Sequence, residues 1–97
     1  MPDARELRWL PEALQDLIRL DGFIRPHNPA AAKRAIHTLR EAAQSLLDYP
    51  ELGRPWDPAP EFRQPFIPFG SRGYVLRYRL EDHRIVIVRL WHAREDR

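Results

Sequence analysis

The stretch Tyr74-Val75-Leu76-Arg77-Tyr78-Arg79-Leu80 decides how this chain folds. Tyr74, Leu76, Tyr78 and Leu80 share one parity, and Val75, Arg77 and Arg79 the other. A period of two marks a β-strand with one face in a core and the other toward solvent. The polar turn Glu81-Asp82-His83 then leads into Arg84 to Trp91, which is apolar at nearly every position and rich in Ile and Val. Such a run suits a central strand covered on both faces. The shortness of the turn makes the two strands antiparallel neighbours.

Toward the N-terminus, Phe69-Gly70-Ser71-Arg72-Gly73 reads as a turn. Phe62 to Phe69 reads as an irregular strand, because Pro65 and Pro68 remove backbone donors and belong at a sheet edge. Residues 50–61, PELGRPWDPAPE, hold four of the ten prolines and read as a loop within the domain. Two helices precede it. Pro11 suits a first helical position, and Ala13, Leu14, Leu17, Ile18 and Leu20 follow near a 3.6 period. Glu12, Gln15, Asp16 and Arg19 lie between them. This helix extends to Ile24, and Pro26 stops it. Asn28-Pro29 opens a second helix with a good cap, and Ala32, Ile36, Leu39, Ala43, Leu46 and Leu47 mark its apolar face. The short connection predicts an antiparallel hairpin. A short strand, Arg5 to Trp9, begins the chain.

The expected order is β-α-α-β-β-β: an α+β fold in one domain over residues 1–97. A helical hairpin packs on one face of a small, mainly antiparallel sheet. Tyr74, Leu76, Tyr78 and Leu80 should meet the helices, and Arg77 and Arg79 should project from the open face.

The bulk properties narrow the function. There is no cysteine, which excludes disulfides, thiolate metal sites and a cysteine nucleophile. No apolar run approaches the length of a membrane helix, and Asp3, Arg5, Glu6 and Arg8 interrupt any signal-peptide core. The expected location is the cytoplasm, without a membrane partner. Residues 1–53 carry 7 basic and 8 acidic side chains, a net of −1; residues 54–97 carry 9 and 6, a net of +3. All basic residues but Lys33 are arginine, whose planar fork suits carboxylate and phosphate. His27, His37 and His83 share no ligand spacing, and no phosphate-binding glycine loop or nucleophile turn is present. No cofactor, metal or small-molecule substrate is therefore expected.

Several strings, in this order and spacing, resemble the RelE/ParE superfamily of type II toxins, and its ParE-like branch in particular. They are Pro11-Glu12-Ala13-Leu14, Asn28-Pro29-Ala30-Ala31-Ala32, Tyr49-Pro50-Glu51-Leu52-Gly53-Arg54-Pro55, Gly73 to Arg79, and Val88-Arg89-Leu90-Trp91-His92-Ala93-Arg94-Glu95-Asp96. The resemblance spans nearly the whole chain. It implies a toxin held inactive by a cognate antitoxin. ParE-like members usually act on DNA gyrase; RelE-like members cut mRNA on the ribosome.

RNA cleavage by the RelE-like route needs a base for the ribose 2′-OH, cations for the phosphorane and an acid for the leaving oxygen. Arg77, Arg89 and His92 are the candidates for that chemistry. Arg89 and His92 differ by three, so a regular strand sets them on opposite faces, and they converge only if the strand ends or bulges near Trp91. Ala93 follows His92 where many ribonuclease members carry a further acid–base partner, and Lys33 is the last lysine. The plainer reading is a face of Arg77, Arg79 and Arg89 that pairs with carboxylates of a partner, with Trp56 and Arg94 as further contacts. His92 then ends its strand satisfied by a backbone carbonyl, and Trp9 and Trp91 are packing aromatics.

Overall fold

The computed structural model describes residues 5–95. Its elements run β1 (Glu6–Trp9), α1 (Pro11–Ile24), α2 (Pro29–Ser45), β2 (Pro55–Trp56), β3 (Ala59–Arg63), β4 (Phe66–Phe69), β5 (Arg72–Leu80) and β6 (Arg84–His92). Strand order in the sheet is β1-β6-β5-β3-β2, with β4 also paired to β5. Among the described residues only the β1–β6 pair is parallel, in register Glu6↔Arg84 to Trp9↔Ile87. The expected α+β order holds, and the two helices pack on one face of the sheet.

Local chemistry explains the helix ends. Leu10 is extended, and Pro11 starts α1 at a position where a missing N–H costs nothing. Asn28 caps α2 by accepting a 3.0 Å hydrogen bond from the Ala31 N–H. The helices meet the sheet largely through small side chains: Ala13, Ala32, Ala35 and Ala43 are all buried, so the backbones approach closely. Leu20, Leu39 and Leu46 fill the layer between them and Tyr74, Leu76, Tyr78, Ile85, Ile87 and Leu90. Each fully buried side chain of this size contributes roughly 1.5–3 kcal/mol.

Two parts of the strand reading need correction. Phe62 to Phe69 is not one strand but two, β3 and β4, both paired with β5. Pro65 breaks the run because it has no N–H, yet its carbonyl still accepts from the Leu76 N–H at 3.2 Å and keeps the break on the sheet. The loop 50–61 also contains structure: Pro55 and Trp56 turn back through Asp57-Pro58 onto Ala59 as a short hairpin. Proline density concealed it.

Two glycines are positional. Gly70 has φ +60° in the two-residue turn between β4 and β5, a conformation glycine adopts without strain. Gly73 lies under Phe66, where a Cβ would sit 2.4 Å from the Ile67 carbonyl oxygen.

The pairing of β5 with β6 slips once. Arg77 faces Arg89 but Tyr78 faces Ile87, so Val88 is an extra residue in β6. The bulge reverses the parity for the end of the strand. Ile85 and Ile87 point to the helices before it, and Leu90 after it.

Candidate partner-binding face

The sheet face away from the helices receives Val75, Arg77 and Arg79 from β5. Register adds Arg84, Val86 and Trp91 from β6, Glu6 and Arg8 from β1, and Phe62 and Phe66 from β3 and β4. Arg77 and Arg79 therefore lie on the expected side, but the face is less bare than the alternation implied. Val86 and Trp91 are only 2% and 8% exposed, and the Arg77 guanidinium lies over the Trp91 ring.

Arg77 is the centre of this cover. Its Cζ lies 4.2 Å from the centroid of the Trp56 ring and 5.0 Å from that of Trp91. Its Nε donates to Gln64 Oε1 at 2.5 Å. Burial, and then the positive charge of Arg89, push the Arg77 guanidinium below its usual value, and it remains a cation. Trp56, expected from sequence as a loop residue that contacts a partner, stacks on Arg77 within the chain itself. Arg79 Nε donates to Glu81 at 2.8 Å.

Arg89 is held from the other layer. β1 covers the outer edge of β6 only as far as Ile87, and beyond it the carboxylate of Asp16, from α1, takes over. Asp16 accepts from the Leu90 N–H at 2.9 Å, from Arg89 Nε at 2.8 Å and Nη2 at 3.2 Å, and from Arg19 Nη2 at 3.2 Å. Burial raises the Asp16 carboxyl, but the hydrogen bonds from Arg89, Leu90 and Arg19 outweigh it, and the group sits below the ordinary aspartate value. The same hydrogen bond raises Arg89.

Sequence reading placed Asp16 on the polar side of α1, and it is 3% exposed. The signal was available: residue 16 is three after Ala13 and four before Leu20, so it shares their face. A carboxylate there had to find buried donors.

His92 does not join Arg89. Register places it opposite Tyr74, whose ring it meets edge-on at 5.4 Å, on the helix side of the sheet. Leu20, Phe23 and Ile24 line the same small hollow. Its Nδ1 accepts from the Arg94 N–H at 3.1 Å, so the ring is satisfied by a backbone donor rather than the expected carbonyl. The turn that follows is tied down by Glu95, which accepts from the His92 N–H at 2.7 Å and pairs with Arg19. Arg94 is exposed in that turn; Asp96 lies outside the described residues. Among the described residues, no three His, Asp or Glu side chains are grouped as a metal would require. No helix among them is long and apolar enough to cross a membrane.

Comparison with known proteins agrees with this architecture. Residues 7–97 match the family model described as the ParE toxin of the type II toxin–antitoxin system parDE. This chain belongs to the ParE toxin family. Among relatives, Toxin RelE3 of Caulobacter vibrioides is 36% identical over 87 residues, covering 90% of this chain and 92% of that protein. Toxin RelE1 of the same organism is 38% identical over 85 residues, covering 88% and 89%. A solved structure titled "Chromosomal ParDE TA system from P. aeruginosa" superposes with a TM-score of 0.76, covering 93% of this chain and 97% of that one. At 20% identity that likeness concerns the fold. As a ParE-family toxin of the wider RelE/ParE superfamily, the protein has an antitoxin as its partner.

Proposed function

We propose that this ParE-family chain inhibits DNA gyrase by protein–protein contact, and that its antitoxin silences it. One observation carries this reading: the residues that RNA cleavage would need do not converge. His92 is turned to the helix side against Tyr74, and the Arg89 guanidinium is taken up by Asp16. General acid–base catalysis needs its groups within hydrogen-bond reach of one reacting centre. A protein contact needs only a shaped surface with anchors.

The outer groove of the helical hairpin supports the antitoxin's place. Leu14 and Ile18 are 48% and 74% exposed there, beside Ile36, with Lys33 and Arg40 at the rim. Apolar residues at this spacing suit an amphipathic segment with acidic flanks. Binding of that segment raises the melting temperature by mass action.

The deciding assay is DNA supercoiling by purified gyrase with added toxin. Inhibition at micromolar toxin, relieved by antitoxin, is expected. Undiminished supercoiling, together with new in-frame transcript 5′ ends after induction, would replace this reading with ribosome-dependent mRNA cleavage. Induction without growth arrest would mark the chain as a non-toxic interaction module.

A further inference from the structure

Five arginines have a register that places them on the outer sheet face: Arg8, Arg77, Arg79, Arg84 and Arg89. Four of them already have a carboxylate within 4 Å. Arg8 pairs with Glu6 at 3.4 Å, Arg79 with Glu81 at 2.8 Å, Arg84 with Glu81 at 3.6 Å, and Arg89 with Asp16 at 2.8 Å. Arg77 has none among the described residues. Its Nε is engaged by the neutral Gln64, and neither terminal amine has a hydrogen-bond partner among the described residues. Moreover, Arg77 stands directly across from Arg89, and like charges facing each other on a sheet destabilise it. The indoles of Trp56 and Trp91 hold the guanidinium in place, so its donor fork is positioned before anything binds.

We infer that the terminal amines of Arg77 form a receptor for one carboxylate on an acidic side chain of a partner protein. The guanidinium fork matches the two oxygens of a carboxylate. Phe66, 55% exposed on the same face, offers an apolar neighbour for the residues flanking that acid. The pairing pattern argues against a nucleic acid. A phosphate backbone is bound by several uncommitted cations in a track, and here each of the other four lies within 4 Å of one of three internal carboxylates, Glu6, Glu81 and Asp16. The inference rests on the protein-contact reading above and narrows it to a chemistry.

A random twelve-residue peptide library displayed on phage, selected against the folded full chain, tests it independently of gyrase. Enriched peptides should share one Asp or Glu. Replacing that residue by its amide should weaken binding at least tenfold to the wild type and less than twofold to Arg77→Gln, in a fluorescence polarisation titration. Arg77→Lys, which keeps the charge but not the fork, should recover only part of the loss, and circular dichroism melts confirm that both variants fold. Should both variants unfold, Gln64→Ala and Trp56→Phe, which loosen the arginine without removing it, should each weaken the acid-bearing peptide severalfold. No enrichment, enrichment without a shared acid, or equal binding by the wild type and the Arg77 variants overturns the inference. Decauridylate binding that disappears in Arg77→Gln also overturns it, in favour of a phosphate site. A chain that fails to inhibit gyrase yet passes this selection would cost the target, not the receptor.

Discussion

Asp16 accepts a 2.9 Å hydrogen bond from the backbone N–H of Leu90, so a helix carboxylate completes the hydrogen bonding of a strand edge. Where β1 ends, β6 would otherwise show an unpaired donor under α1. The same carboxylate holds Arg89 and Arg19, which makes one buried side chain the joint between the helical layer and the sheet.

Removing that joint should be costly. Asp16→Ala leaves the buried Leu90 N–H and the Arg89 guanidinium without their acceptor, while Arg19 keeps Glu95 and the Leu90 carbonyl. We expect a loss of about 3 kcal/mol, below the upper range for a broken buried pair because Arg19 and Arg89 are 28% and 35% exposed. Asp16→Asn keeps an acceptor for Leu90 and should lose about half as much. Urea denaturation of the two variants beside the wild type gives both numbers; equal stability of Asp16→Ala and wild type would refute the joint.

The same group sets an acid dependence. The folded state holds the Asp16 carboxyl below its ordinary value of 3.8, so the charged form favours folding. That stabilisation is fully present above the unfolded value and is lost as pH falls through the folded one. The stability gap between wild type and Asp16→Asn should therefore be constant from neutral pH down to mildly acidic conditions, then shrink below 3.8. Denaturation curves across that range check the sign; a gap that widens in acid would reverse it.

Tyr78 is fully buried, and its hydroxyl ties the 50–53 segment to the core. The hydroxyl donates to the Pro50 carbonyl at 2.7 Å and accepts from the Gly53 N–H at 3.4 Å. Tyr78→Phe keeps the packing and leaves both groups unpaired, at an expected cost of about 1–2 kcal/mol. Hydrogen exchange at Gly53 should quicken in the variant while the amides of β6 keep their relative protection.

Two glycines should respond to alanine in opposite directions. Gly73→Ala forces a methyl group against the Ile67 carbonyl and the Phe66 ring, at an expected cost of roughly 2–3 kcal/mol. Gly22 lies near the end of α1 with nothing within 4 Å of its would-be Cβ. There alanine should add about 0.5 kcal/mol through helix propensity and a stiffer unfolded chain. Thermal melts of the pair decide this.

How much was legible in the sequence follows from which interactions are local. β5, β6 and both helices announced themselves, because side-chain period records burial directly. Asn28 and Pro11 marked helix starts through capping chemistry that involves only adjacent residues. The bulge at Val88 left no trace, since it is an inserted residue within a continuous apolar run, with no glycine to flag it. The short hairpin at Trp56 was hidden by prolines that ordinarily argue against strands. Of the candidate residues, Arg77 was placed on the correct face, but its indole neighbours come from residues 56 and 91 and are joined only by the fold. Arg89 was treated as an available cation because its partner lies 73 residues away on another element.

The parallel pairing of β1 with β6 constrains when this molecule can exist. Glu6 waits for Arg84 and Trp9 for Ile87, and among the described residues no other strand offers β1 a ladder. A growing polypeptide that has reached only His83 has both helices but lacks the strand on which the core closes. Closing so wide a loop late in assembly is slow compared with forming a helix. Any surface that needs the finished sheet is thus withheld from incomplete copies by connectivity alone, which leaves an interval in which a faster-folding or disordered antitoxin can already be waiting.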